Sequence, residues 1–128
     1  RREGGVTVVR TVLIVDDSQD LTEVAAEFLR IFDYTVYTAS NGIEALERLK
    51  TSQVGIVVSD IHMPDMDGLT LMGKIKAGYP GVPVILITGF SVSEARKIAL
   101  NRGADAFVAK PFRMKELKDV IESFYSAS

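Results

Sequence analysis

The stretch Val12-Leu13-Ile14-Val15-Asp16-Asp17 is four aliphatic residues closed by two carboxylates. The aliphatic run is too short for a helix and rich in β-branched residues. It reads as a strand buried on both faces. The same sentence recurs along the chain. Ile56-Val57-Val58 leads to Asp60, Val84-Ile85-Leu86-Ile87 to Thr88, and Ala106-Phe107-Val108 to Lys110-Pro111. Thr35-Val36-Tyr37-Thr38 is more polar and is placed at an edge of the sheet.

Helical spacing fills the gaps between these runs. The apolar positions are Leu21, Val24, Phe28 and Leu29, then Ile43, Leu46 and Leu49, then Leu69, Met72 and Ile75. Ala95, Ile98 and Ala99 mark a fourth helix, and Leu117, Val120, Ile121 and Phe124 a fifth. Asp17 or Ser18 can cap the first helix. Asn41-Gly42 turns into the second, residues 78–83 end the third, and Gly103 falls where a C-cap residue belongs. Five βα units of this kind imply an α/β fold, a parallel sheet covered on both faces. Residues 1–11, with Gly4-Gly5 among charges, read as a flexible N-terminal arm or linker, although Val8 and Val9 could extend the first strand. Residues 12–128 form one domain.

Composition narrows the function. Of 128 residues, 47% are hydrophobic and 25% charged, so a packed core is affordable and disorder is a poor description. With 15 Lys and Arg against 17 Asp and Glu, the net charge of −2 disfavours direct nucleic-acid binding. The chain has no cysteine, which excludes disulfides and thiolate chemistry. No apolar run is long enough for membrane insertion and no signal peptide opens the sequence, so a soluble, cytoplasmic domain is expected. The chain starts on Arg1, which points to processing or to a domain of a longer protein.

Polar residues gather at strand ends. In a parallel sheet the C-terminal ends of the strands lie along one edge, where ligands bind if the strand order reverses. That edge would carry Asp16, Asp17, Asp60, Thr88 and Lys110. Two like charges about 4 Å apart repel by about 4 kcal/mol at an effective dielectric of about 20. Three carboxylates therefore call for protonation or a cation. Charge balance with Lys110 favours a divalent ion, and an all-oxygen ligand set favours Mg²⁺. Taken singly, each aspartate could instead be a helix cap or a solvated loop residue. The segment Gly68 to Lys74 has GxxxxGK spacing, but Ile75 replaces the required hydroxyl and Leu69 and Met72 look like a helix face. No GxSxG or HExxH motif occurs, and the single histidine, His62, reads as a loop residue.

These motifs resemble the receiver domain of response regulators in two-component signalling. The segments are Val12-Leu13-Ile14-Val15-Asp16-Asp17, residues 59–68 (Ser-Asp-Ile-His-Met-Pro-Asp-Met-Asp-Gly), Ile87-Thr88-Gly89 and Ala109-Lys110-Pro111-Phe112, in the family's order and spacing. The resemblance implies a flavodoxin-like (βα)5 three-layer sandwich with strand order 2-1-3-4-5. It makes Asp60 the acceptor of a phosphoryl group from a partner phosphohistidine. Asp16, Asp17, Asp60 and the backbone carbonyl of His62 would hold Mg²⁺, with Mn²⁺ as a substitute. Lys110 would pair with the phosphoryl group. Thr88 would bond to it and shift, with Phe107 as the aromatic switch residue, remodelling the surface of the fourth helix, fifth strand and fifth helix. Gly89 would leave room beside the site, a bulky Phe90 would slow hydrolysis, and Lys110-Pro111 would be cis.

Implied partners are a histidine kinase or a histidine phosphotransfer protein, docking on the first helix and on residues 112–114. An output domain or a hybrid kinase would make up the rest of a full-length protein. Homodimerisation through the fourth and fifth helices is compatible with the sequence. The chain would not be an enzyme in the ordinary sense, since it turns over only its own phosphoryl group. Two rival readings use the same fold. One is a phosphorylation-independent pseudo-receiver acting as a protein-interaction module, which the intact acidic set argues against. The other is a flavin-binding protein, for which Asp16 and Asp17 would repel the cofactor phosphate.

Overall fold

In the computed structural model, residues 10–89 and 100–126 are described, together with Ser93, Lys97 and the backbone of residues 2, 3, 6 and 7. The main sheet has five strands: β1 (Thr11–Val15), β2 (Thr35–Ala39), β3 (Ile56–Asp60), β4 (Val84–Thr88) and β5 (Ala106–Ala109). All pair in parallel, in the order β2-β1-β3-β4-β5. This is the expected 2-1-3-4-5 order. The more polar strand lies at an edge, and the reversal falls between β1 and β3. Helices α1 (Gln19–Ile31), α2 (Gly42–Thr51) and α3 (Gly68–Gly78) and a C-terminal helix (Met114–Ser126) cover the sheet. Ser93, Lys97, Leu100 and Asn101 are also helical, while Ala95, Ile98 and Ala99 lie outside the described residues.

The first strand starts one residue earlier than expected, because Thr11 is buried and pairs with Thr35. Ahead of it, Arg2–Glu3 pairs antiparallel with Val6–Thr7 as a separate two-stranded ribbon. Val8 and Val9 lie outside the described residues.

Strand alternation splits the core into two clusters. Val12, Ile14, Val58, Ile85, Ile87 and Val108 face α1 and the C-terminal helix. Leu13, Val15, Val57, Val84 and Leu86 face α2 and α3. Two expected core residues stand elsewhere: Val24 is 51% exposed and Ile43 60% exposed. The stripes that α1 and α2 bury are Thr22, Ala25, Ala26 and Leu29, and Gly42, Ala45 and Leu49. Small residues let each helix lie close to the sheet, which turns the larger Val24 and Ile43 outward. Leu117 and Ile121 are fully buried, with Val120 and Phe124 packed partly against them.

Caps set where the helices begin. Ser18 is the N-cap of α1 and accepts from the Leu21 N–H at 3.3 Å. Asn41 accepts from the Glu44 N–H at 2.9 Å, and Asp67 from the Thr70 N–H at 2.7 Å. Gly103 has φ +103° and its N–H returns to the Leu100 carbonyl, a helix-ending geometry that suits glycine. No helix among the described residues is long and apolar enough to cross a membrane.

Candidate functional site

The site is built on strand ends. Asp16 follows β1, and its N–H donates to the Ala39 carbonyl at 3.1 Å, continuing the ladder by one bond. Its Oδ1 accepts from the Ser18 N–H at 2.8 Å, so the same carboxylate orders the entry to α1. Asp60 is the last residue of β3. Lys110 follows β5, and its N–H donates to the Thr88 carbonyl at 2.8 Å. The Lys110-Pro111 peptide is cis. Alternation puts Asp16, Asp60 and Lys110 on the face of Ile14, Val58 and Val108.

The three aspartates converge. Asp16, Asp17 and Asp60 each offer a carboxylate oxygen, and these oxygens lie within 4.8 Å of one another. Asp16 and Asp60 are buried at 2% and 5% exposure, whereas Asp17 is exposed. Lys110 Nζ lies 3.4 Å from Oδ2 of Asp16 and 3.4 Å from Oδ2 of Asp60. Burial pushes the Asp60 carboxyl above the ordinary aspartate range and the Asp16 charge adds to it, while Lys110 and the His62 N–H pull it partly back. Burial opposes the Lys110 charge, yet Asp60 and Asp16 outweigh it and hold the ammonium above the ordinary lysine value. One lysine therefore does not satisfy the buried pair. A hard divalent cation with oxygen ligands fits this donor set, and would draw on Asp16, Asp17 and Asp60.

Thr88 ends β4 and is fully buried. Alternation assigns it to the row of Val84 and Leu86, and as the last residue of β4 it stands at the same edge of the sheet as Asp60. Phe107 lies on the face of that row: it pairs in register with Leu86 and packs partly against the same cluster. Thr88 pairs with Ala109, so Thr88 and Phe107 are diagonal neighbours across two strands. Phe107 is half-buried rather than fully enclosed. Among the described residues, only the Lys110 Cβ comes within 4 Å of a methyl added at Gly89, at 3.9 Å. Phe90 lies outside the described residues. His62 is exposed in the loop after β3, and its backbone N–H serves the Asp60 carboxylate.

Gly68 to Lys74 belongs to α3, with Leu71 and Met72 buried, so this segment is a helix and not a phosphate-cradling loop. A groove beside the acidic site is lined by Ser18, Leu21, Gly89, Lys110, Pro111 and Phe112. Two further residues of the site escaped sequence reasoning. Ser59 is fully buried and its hydroxyl donates to the Asp60 carbonyl at 2.9 Å. Gly68 packs against that same carbonyl. Both residues lie in the 59–68 motif, but nothing in the sequence shows what they touch.

Comparison with known proteins agrees with this fold. Residues 12–122 match the family described as response regulator receiver domain. The chain is 40% identical over 107 residues to the C4-dicarboxylate transport transcriptional regulatory protein DctD of Rhizobium meliloti, covering 84% of this chain and 23% of DctD. It is 36% identical over 117 residues to the sensor kinase CckA of Brucella abortus, covering 88% of this chain and 12% of CckA. The chain thus spans a minor part of each of these relatives. A solved CheY-like receiver domain from Methanospirillum hungatei superposes with a TM-score of 0.86 at 29% identity, covering 94% of this chain and 96% of that one.

Proposed function

Because this chain belongs to the response regulator receiver family, we propose that Asp60 is a phosphoacceptor, taking a phosphoryl group from a phosphohistidine on a partner protein. The observation that carries this reading is the buried Asp60 carboxylate, held 3.4 Å from Lys110 beside the oxygens of Asp16 and Asp17.

An Asp60 oxygen attacks phosphorus, the phosphorus–nitrogen bond of the phosphohistidine breaks, and the leaving imidazole takes up a proton. The product is an aspartyl phosphate. Asp16, Asp17, Asp60 and the His62 carbonyl would hold Mg²⁺, or Mn²⁺ in its place. When bound, the ion supplies positive charge for the transferring phosphoryl oxygens. Lys110 supplies a second positive charge from the protein itself. Its position between two carboxylates is fixed before the phosphoryl group arrives, so little reorganisation is needed.

Thr88 then reports the event. Its hydroxyl bonds a phosphoryl oxygen and shifts, and Phe107, its diagonal neighbour, follows. The surface around the helical residues Ser93, Lys97, Leu100 and Asn101, β5 and the C-terminal helix changes with them. Phosphorylation acts by shifting an existing two-state equilibrium. The partner is a histidine kinase or a histidine phosphotransfer protein. It docks across α1 and residues 112–114, where the groove beside Lys110 opens. The longer relatives support an output or kinase domain elsewhere in the full-length protein.

The test is intact mass after incubation with Mg²⁺ and acetyl phosphate, beside Asp60→Asn. One phosphoryl adduct on the wild type alone is the expected result. Equal labelling of Asp60→Asn would remove Asp60 from the role. Absence of an adduct on the wild type with both acetyl phosphate and a phosphorylated partner would favour an interaction module instead.

A further inference from the structure

We infer that Ser59, together with Gly68, is a positioning residue for Asp60. The inference rests on the phosphoacceptor reading above and deepens it. Neither residue touches a reacting atom. Both act on the peptide that carries the acceptor.

Asp60 stands just past the support of one neighbouring strand. β1 pairs with β3 only as far as Val15 opposite Ser59. On the other side β4 still holds it, through Asp60 opposite Ile87 and an Ile61 N–H to Ile87 carbonyl bond of 2.9 Å. The Asp60–Ile61 peptide would otherwise be free to tilt about that single support. Two groups prevent it. The Ser59 hydroxyl donates to the Asp60 carbonyl at 2.9 Å, in a place where Ser59 has no exposure at all. From the far side α3 presses in: the Gly68 N–H donates to the Ile61 carbonyl at 2.8 Å.

The space at Gly68 is fully used. A Cβ there would lie 2.3 Å from the Asp60 carbonyl oxygen and 2.8 Å from the Ile61 Cα, and backbone atoms cannot swing aside. Gly42 makes the contrast. A Cβ there would lie 2.6 Å from Met66 Sδ, part of a flexible side chain that can move. A tilt of the Asp60 peptide would carry the carboxylate away from Lys110 and Asp16. It would also disturb the His62 N–H that serves that carboxylate. The clamp on the carbonyl therefore fixes the geometry of the acidic site from behind.

The experiment uses Ser59→Ala and Ser59→Cys in the full chain. Alanine leaves a small void, cysteine slightly overfills the site and is only a weak donor, so a loss common to both follows the hydrogen bond rather than the volume. Three quantities are measured: Mg²⁺ affinity of the unphosphorylated protein by NMR titration, amide exchange at His62, and the initial rate of labelling by acetyl phosphate. Both variants are expected to lose about fivefold in Mg²⁺ affinity and labelling rate, the worth of one buried hydrogen bond. Exchange at His62 should rise while core amides such as Leu13 stay protected.

Gly68→Ala, which pushes on the same carbonyl, should give the same loss, and Gly42→Ala should not. Wild-type Mg²⁺ affinity in Ser59→Cys overturns the proposal, and so does wild-type affinity in Gly68→Ala. If the wild type accepts no phosphoryl group, it is the phosphoacceptor reading that fails. The Mg²⁺ titration and His62 exchange still decide the role of Ser59.

Discussion

Lys110 and Asp60 meet at 3.4 Å across the C-terminal edge of the sheet, with the same ammonium 3.4 Å from Asp16. On the proposed reading, the lysine and a divalent ion would answer to the same buried carboxylates, and each would weaken the pull on the other. Removing the lysine separates metal binding from phosphoryl acceptance. Lys110→Ala should bind Mg²⁺ at least as tightly as the wild type, since a competing positive charge is gone. Its labelling rate should fall by about tenfold or more, because a fixed charge is lost where negative charge develops. Isothermal titration and intact mass measure the two effects. An unchanged labelling rate would remove Lys110 from the chemistry.

The Asp60 carboxyl is held above its ordinary range by burial and by Asp16. A raised acid binds its proton more tightly in the folded state than in the unfolded one. Its ionisation therefore costs stability as pH rises through the folded value, and the cost is absent below the unfolded value. Asp60→Asn removes that cost. Without metal at pH 7 the variant should be more stable than the wild type by about 1 kcal/mol, or about 4 °C in melting temperature. The gap should narrow as pH falls below the raised Asp60 value and vanish below the ordinary aspartate value, and Mg²⁺ should stabilise the wild type more than the variant. Melting curves across pH, with and without Mg²⁺, check this. A variant less stable than the wild type at pH 7 would contradict it.

The fold was legible because strand and helix periods alternate cleanly, and each short aliphatic run could only be a buried strand. The acidic site was legible because its members end those strands. Asp16, Asp17 and Asp60 lie together as strand-end placement requires. Helix faces were harder to read. The eye goes to Val24 and Ile43, but a helix buries whichever stripe packs closest, and here small residues (Thr22, Ala25 and Ala26; Gly42 and Ala45) complete the stripes that end in Leu29 and Leu49. Ser59 was hidden for a related reason. A serine inside a hydrophobic strand carries no periodic signal, and its partner is a backbone carbonyl that sequence does not display.

Asp67 links helix capping to the site. Its carboxylate accepts from the Thr70 N–H at 2.7 Å, and that bond, more than any other contact, holds its pKa below the ordinary value. A lowered acid stabilises the fold above the unfolded value, and that contribution is lost as pH falls through the folded one. Asp67→Ala should cost about 1 kcal/mol at neutral pH, as lost N-caps do. The deficit relative to wild type should shrink in acid. Because Gly68 follows directly and abuts the Asp60 carbonyl, fraying of α3 should also weaken Mg²⁺ binding. Denaturant melts at pH 7 and at acid pH measure the first effect. A cost that is independent of pH would deny the charged cap its role.

At the opposite pole, where the parallel strands begin, Tyr125 of the C-terminal helix donates its hydroxyl to the Thr11 carbonyl at 2.9 Å. The Gly55 N–H donates to the same oxygen at 3.1 Å. A Cβ on Gly55 would lie 2.2 Å from the tyrosine hydroxyl, so a glycine makes room for this bond. Tyr125→Phe removes one of two donors and leaves Thr11 partnered, so the expected cost is about 1 kcal/mol. Gly55→Ala should cost more, because the added methyl displaces the hydroxyl. Neither change lies near the acidic residues, which sit at the other ends of β1 and β3. Mg²⁺ affinity and labelling rate should therefore match the wild type in both variants while the melting temperature falls. A parallel loss of Mg²⁺ affinity in the folded Tyr125→Phe protein would mean that the two poles are coupled through the strands. The site could not then be treated as a rigid cluster set only by its own edge of the sheet.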